Sequence, residues 1–153
     1  MEEQEYQATY QALNQRRCIF EKAIGSRRCG CVLSARFNLA DREGVACESD
    51  AGNALCIELL DAMRRNARFS LHLTHTDGPL PHAKEIRVQV GGLLGLQKLL
   101  HPDRAQDSTV SNIHGLACEA LERYAQIENL PYDQIVQAIA SFEGRRKRTR
   151  PVK

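Results

Sequence analysis

Four stretches of this chain repeat apolar residues every three or four positions, and that period leaves little room for anything but a mainly helical fold. In "CESDAGNALCIELLDAMRRNARF", Leu55, Cys56, Leu59, Leu60, Met63 and Ala67 share one face, and Ser49 or Asp50 stands where an N-cap belongs. Residues 2 to 24 read as a first helix, because Tyr6, Tyr10, Leu13, Phe20 and Ile24 fall within a narrow arc before Gly25 and Ser26 end it. Val110, Ile113, Ala117, Ala120, Tyr124 and Ile127 mark another helix. The last starts near Pro131, turns Ile135, Val136, Ile139 and Phe142 inward, and stops at Gly144. Shorter helices are expected over residues 32 to 40 and over "VGGLLGLQKLL".

The middle of the chain changes period. Phe69, Leu71 and Leu73 alternate with polar residues, as do Ile86, Val88 and Val90, so both runs read as half-buried strands. The connection "HTDGPLPHAK" makes an antiparallel hairpin their simplest pairing. Two strands leave edges, so they should pack on helices or pair across a homodimer axis at the hairpin edge. The expected fold is therefore mainly α (α+β), a compact domain of five to six helices with one small two-stranded antiparallel hairpin. One globular domain over residues 1 to 144 suits the length, and 153 residues can bury a core without disulfides or metals to staple it.

The first ten residues, "MEEQEYQATY", are acidic where a signal peptide would be basic and then apolar, and no apolar run approaches a membrane span. A soluble cytoplasmic protein is expected, with its six cysteines reduced. The formal charge of +2 hides an asymmetry. Residues 145 to 153 hold six of the 21 basic residues and no acid, which leaves the body 15 basic against 19 acidic residues, net −4. A basic disordered tail with Arg145, Arg146, Lys147, Arg148 and Arg150 can attach to nucleic-acid phosphates or an acidic protein. It lacks the interleaved aromatics that would stack on single-stranded bases, and its plain alternative is a solvated terminus.

Five of the six cysteines lie between Cys18 and Cys56, spaced C-x10-C-x-C-x15-C-x8-C. Cys29, Cys31 and Cys47 fall in expected loops or element ends, where ligands can converge from different directions. Cys18 sits roughly 120° from the apolar arc of its expected helix, so core packing does not account for it. Cys56 lies in the middle of an apolar face and also reads as a small buried hydrophobe. Structural zinc draws on C-x2-4-C pairs, and the close pair here is C-x-C. Iron–sulfur clusters take four thiolates at more varied spacing. Residues 16 to 36 carry a local charge of +5, a field that favours an anionic cluster and lowers thiol pKa values. The reading is thus a cysteine-rich metal-binding region at 18 to 56 that holds an iron–sulfur cluster, a 4Fe-4S one by ligand count, with zinc as the alternative. The first choice of ligands is Cys18, Cys29, Cys31 and Cys47, with Cys56 the nearest replacement. A thiol redox pair at "CGC" and unliganded packing stay open beside it.

Other motifs carry less. "LQKLLHPDRAQDS" contains His101-Pro102-Asp103 between two helices and resembles the signature loop of J-domain cochaperones over residues 93 to 127. That family has a longer, basic helix before the loop, where this chain has Gly91, Gly92 and Gly95; a proline turn ending a helix explains the tripeptide equally. "GGLLG" lacks the lysine and spacing of a phosphate loop and reads as a strand-to-helix turn. His72, His75 and His82 do not share a face and read as solvated. No nucleophile motif or distinctive carboxylate pair is present. The function expected is electron transfer or redox sensing without substrate chemistry, or else a helical interaction module, zinc-bound or metal-free, attached through its basic tail.

Overall fold

The computed structural model describes residues 2–73 and 80–143. The basic tail with Arg145, Arg146, Lys147, Arg148 and Arg150, together with Gly144 and His75, lies outside them. In chain order the elements are α1 (Glu3–Leu13), α2 (Glu21–Gly25), β1 (Ser34–Leu39), β2 (Arg42–Cys47), α3 (Asp50–Ala67), α4 (His82–Ile86), α5 (Gly92–Leu100), α6 (Ile113–Tyr124) and α7 (Tyr132–Ser141). A five-residue π turn, Arg87–Gly91, joins α4 to α5 in one rod, so the described residues form six helical bodies and one antiparallel hairpin. The mainly α architecture with a small hairpin is the one expected from the sequence.

The hairpin, however, is not where alternation placed it. Residues 86 to 90 are helical because Val88, Gln89, Val90, Leu93 and Leu96 are all buried. A helix buried all round loses its 3.6-residue signature, and its β-branched residues then mimic a strand. Phe69 is 86% exposed, while the segment from Leu71 folds back through bonds from Leu71 N–H to the Ala67 carbonyl and Leu73 N–H to the Arg68 carbonyl. The expected strand edge for a dimer axis is therefore not formed there. Gly91 and Gly92 are likewise no strand-to-helix turn. They and Gly95 let α5 lie close to its neighbours; a Cβ on Gly95 would stand 2.7 Å from the Cβ of Ala138 on α7.

The real hairpin uses the 32-to-40 stretch expected to be helical. Ser34 pairs with Cys47 and Leu39 with Arg42, and the two residues between, Ala40 and Asp41, both adopt positive φ (50° and 68°). That pair of angles is the mirror-image turn whose twist matches two-residue hairpins, usually signalled by Asn-Gly. Here Ala-Asp occupies it, so the signal was absent.

The first helix also breaks. Asn14 caps α1 through its N–H to the Tyr10 carbonyl, and its side-chain amide donates to the Val45 carbonyl and the Tyr10 hydroxyl. Such side-chain bonds offer the backbone an alternative to helix. Residues 16 to 18 then run antiparallel along β2: Cys18 N–H donates to the Val45 carbonyl and Cys47 N–H to the Arg16 carbonyl, at 2.9 and 2.8 Å. Phe20, which precedes α2, and Ala23 and Ile24 on it seal this side of the core. α3 begins as expected, with Ser49 Oγ accepting from Gly52 N–H. Its Leu59, Leu60 and Met63 meet Leu93, Leu96, Ile135 and Ile139 in a wholly buried helical layer.

Candidate metal centre

Four separate pieces of chain converge in front of α3. The edge segment delivers Cys18, the "CGC" loop delivers Cys31, the end of β2 delivers Cys47, and the first half of α3 delivers Cys56. All four line one small pocket of about 20 Å³, shared with Ile19, Phe20, Leu33 and Ile113 and with His114 of α6. The two strand-like connections that place Cys18 and Cys47 are mutual, since each cysteine bonds across to the other's segment. Asn53 on α3 donates to the Arg17 carbonyl at 2.9 Å and so fixes the same segment to the helix that carries Cys56. Cys31 is held by its carbonyl, which accepts from both N–H and Oγ of Ser34.

Cys29 does not join them. It is 5% exposed and packs into the core beside Val110, where the loop bridges the segment before α6. Gly30 N–H donates to the Val110 carbonyl, and Ile113 N–H donates to the Gly30 carbonyl, both at 2.9 Å. A Cβ on Gly30 would meet the Ser111 carbonyl oxygen at 3.1 Å, which is why glycine separates the two cysteines. Neighbours in a C-x-C spacing thus point one into the core and one to the pocket. The set brought together is Cys18, Cys31, Cys47 and Cys56, with Cys56 in the place first given to Cys29.

The expected electrostatics also change. Burial is the largest effect on the Cys18 and Cys56 thiols and pushes each up to about 12, the neighbouring thiols adding to it. Cys29 is likewise pushed up to about 12 by burial, with Arg28 acting weakly the other way. Burial outweighs the positive field of residues 16 to 36 at these three thiols, and the arginines of that field have partners elsewhere. Arg16 pairs with Asp50, Arg17 with Glu21, and Arg27 and Arg36 with Glu43, while Arg28 lies over the Phe142 ring.

The donor set suits a thiophilic metal. Thiols dominate its polar lining and no carboxylate lines it, so oxygen-seeking cations have no partner there. Among the described residues, no three His, Cys, Asp or Glu side chains stand where they could together hold one metal ion. The thiols surround the pocket without meeting at a point. His114 and the exposed Cys118 were missed in the sequence, although their H-x3-C spacing puts both on one helical face, Sγ to Nε2 3.4 Å.

The His-Pro-Asp tripeptide turns the chain between α5 and α6. His101 ends α5, Pro102 opens a short 3₁₀ turn, and His101 Nε2 pairs with Glu119 at 2.5 Å. Among the described residues no helix is long and apolar enough to cross a membrane. No family model, curated protein or solved structure matches this chain.

Proposed function

We propose that this is a small iron–sulfur protein that holds one cluster through Cys18, Cys31, Cys47 and Cys56 and acts in electron transfer or redox sensing. The observation that carries the reading is the convergence of four thiols, from four separate segments, on one pocket with no carboxylate in its wall. A four-iron cluster spreads its thiolates around a body larger than one ion, which suits donors that encircle a space without meeting. Filling that space requires the "CGC" loop and the Arg16–Cys18 segment to move outward. In the sensing version, loss of the cluster lets them close again, and that closure is the signal.

A second reading has its own support. A pocket of about 20 Å³ has room for an occupant the size of one water molecule. With His114 in its wall, it favours one zinc ion on cysteines and a histidine. The protein is then an interaction module whose basic tail, through Arg145, Arg146, Lys147, Arg148 and Arg150, attaches to an acidic protein or nucleic acid.

Metal and acid-labile sulfide analysis of anaerobically purified protein, with a visible spectrum, separates the two. The expected result is iron with matching sulfide and broad visible absorption. It should be lost on Ser substitution of Cys18, Cys31, Cys47 or Cys56 and kept in Cys29→Ser. Zinc without sulfide moves the conclusion to the second reading; neither metal sinks the cluster and leaves the interaction module in its metal-free form.

A further inference from the structure

The pocket's wall continues outward to a second pair of soft donors. His114 and Cys118 lie one turn apart on α6, with Cys118 Sγ 3.4 Å from Nε2 and 4.0 Å from Nδ1 of the imidazole. Cys118 is exposed, whereas His114 is half-buried and lines the pocket. The imidazole lies over Gly52 of α3: a Cβ there would meet its Cδ2 at 3.2 Å and its Nε2 at 3.4 Å. Gly52 also lines the pocket and lies one turn before Cys56 on the same helix. Sulfur and imidazole donors therefore lead from solvent, through Cys118 and His114, to the pocket that Cys56 also lines.

The inner thiols are half-buried among apolar side chains, and a thiophilic ion reaches such thiols best by exchanging one soft ligand for the next. A histidine and a cysteine four residues apart on a helix have the spacing at which two side chains can hold one soft or borderline cation, such as zinc, cobalt(II) or iron(II). We propose that Cys118 and His114 form an entry station, which captures such an ion from solution and passes it inward to Cys56 and the other thiols. The exchange balances without a redox step. Each inner thiol that takes the ion releases its proton to solvent, and Cys118 regains one as it lets go. The transfer role rests on the reading of the inner pocket as a metal site; the capture role does not.

Cobalt(II), added anaerobically to the metal-free full-length protein, reports both events by its thiolate charge-transfer and d–d bands. Stopped-flow mixing should show a fast weak phase and then a slower tight one. Cys118→Ser should slow the tight phase by about tenfold or more while leaving its final spectrum and stoichiometry unchanged. An unchanged rate would overturn the station. So would a final spectrum that loses one thiolate in Cys118→Ser, since Cys118 would then be a resident ligand. The double variant Cys18→Ser/Cys56→Ser should lose the tight phase and keep the fast one, which disappears when Cys118→Ser is added. If wild type shows the fast phase alone, the inner site fails and the station stands as a capture site without transfer. If the fast phase survives Cys118→Ser, the station fails, whatever the inner site does.

Discussion

The helical layer of α3, α5 and α7 and the hairpin wall in front of it are held together by different forces. In the layer, Leu59, Leu60, Met63, Leu93, Leu96, Ile135 and Ile139 have no solvent exposure, so non-directional burial of apolar area dominates. The wall is stitched by single polar bonds. Glu21 accepts from the Tyr10 hydroxyl and from Val45 N–H, Asn14 donates to the Val45 carbonyl, and Arg42 pairs with Glu3 at the surface. Bonds of that kind contribute about 1 kcal/mol each and can open a few at a time. The metal uptake proposed above suits the second kind of structure, backed by the first. All four converging thiols are on or against the wall.

The two regions meet at a buried polar network, and breaking it is expected to have the largest effect. Arg64 of α3 pairs with Glu85 of α4, both almost fully buried. Gln89 in the π turn donates to Glu85 and to the Ile19 carbonyl, and accepts from Ala23 N–H. Arg64→Met leaves Glu85 buried and unpaired and should cost about 3–5 kcal/mol, read from urea midpoints. Adding Glu85→Leu should recover most of it. A single variant within 1 kcal/mol of wild type, as order of magnitude, would mean that the pair is dispensable to the joint. Within the layer, Gly95→Val drives a side chain into Ala138 and should cost about 2–3 kcal/mol. Ala138→Gly in the same chain should restore part of that loss. If it restores none, α5 and α7 accommodate the bulk by moving apart, and the layer is softer than its burial implies.

This contrast also explains what could be read from the sequence. α3, α6 and α7 were legible because one periodic face meets one core, and Ser49 and Pro131 marked their starts. The hairpin was not, because its turn uses Ala40 and Asp41 in place of glycine or asparagine, and because its register depends on bonds reaching from Asn14, Arg16 and Glu21. The break after Leu13 has no local glycine or proline and exists because β2 offers Asn14 and Cys18 their partners. The cysteine crowd gave the region of the site and three of its four converging thiols. Exchanging Cys29 for Cys56 needed the parallel bridge to Val110, which no spacing encodes.

A smaller effect distinguishes the regions by pH. In the metal-free protein the folded Cys18 and Cys56 thiols titrate near 12, above their ordinary value of 9.0. Folding therefore holds their protons. The stability they contribute is fully present below pH 9 and is lost as pH rises through 12, by at most about 1.4 kcal/mol per pH unit per thiol. Urea midpoints at pH 8.5 and 10.5 should fall for wild type and fall less for Cys56→Ala. Equal falls would mean that the Cys56 thiol opens to solvent before it ionises.

The smallest change bears on whether the wall opens by itself. Ala40 holds φ at 50° with no side-chain group to favour it, whereas asparagine tolerates that region and is preferred at the first position of this turn. Ala40→Asn should therefore stabilise the hairpin by about 0.5 kcal/mol, too little to resolve well in a melting curve. Native-state hydrogen exchange resolves it by location. If β1 and β2 open as a local unit, their amides slow about twofold while those of α5 and α7 keep their rates. If the amides of both regions slow together, the hairpin unfolds only with the helical layer. Under the proposed function, metal would then have to reach the half-buried thiols without the wall opening first.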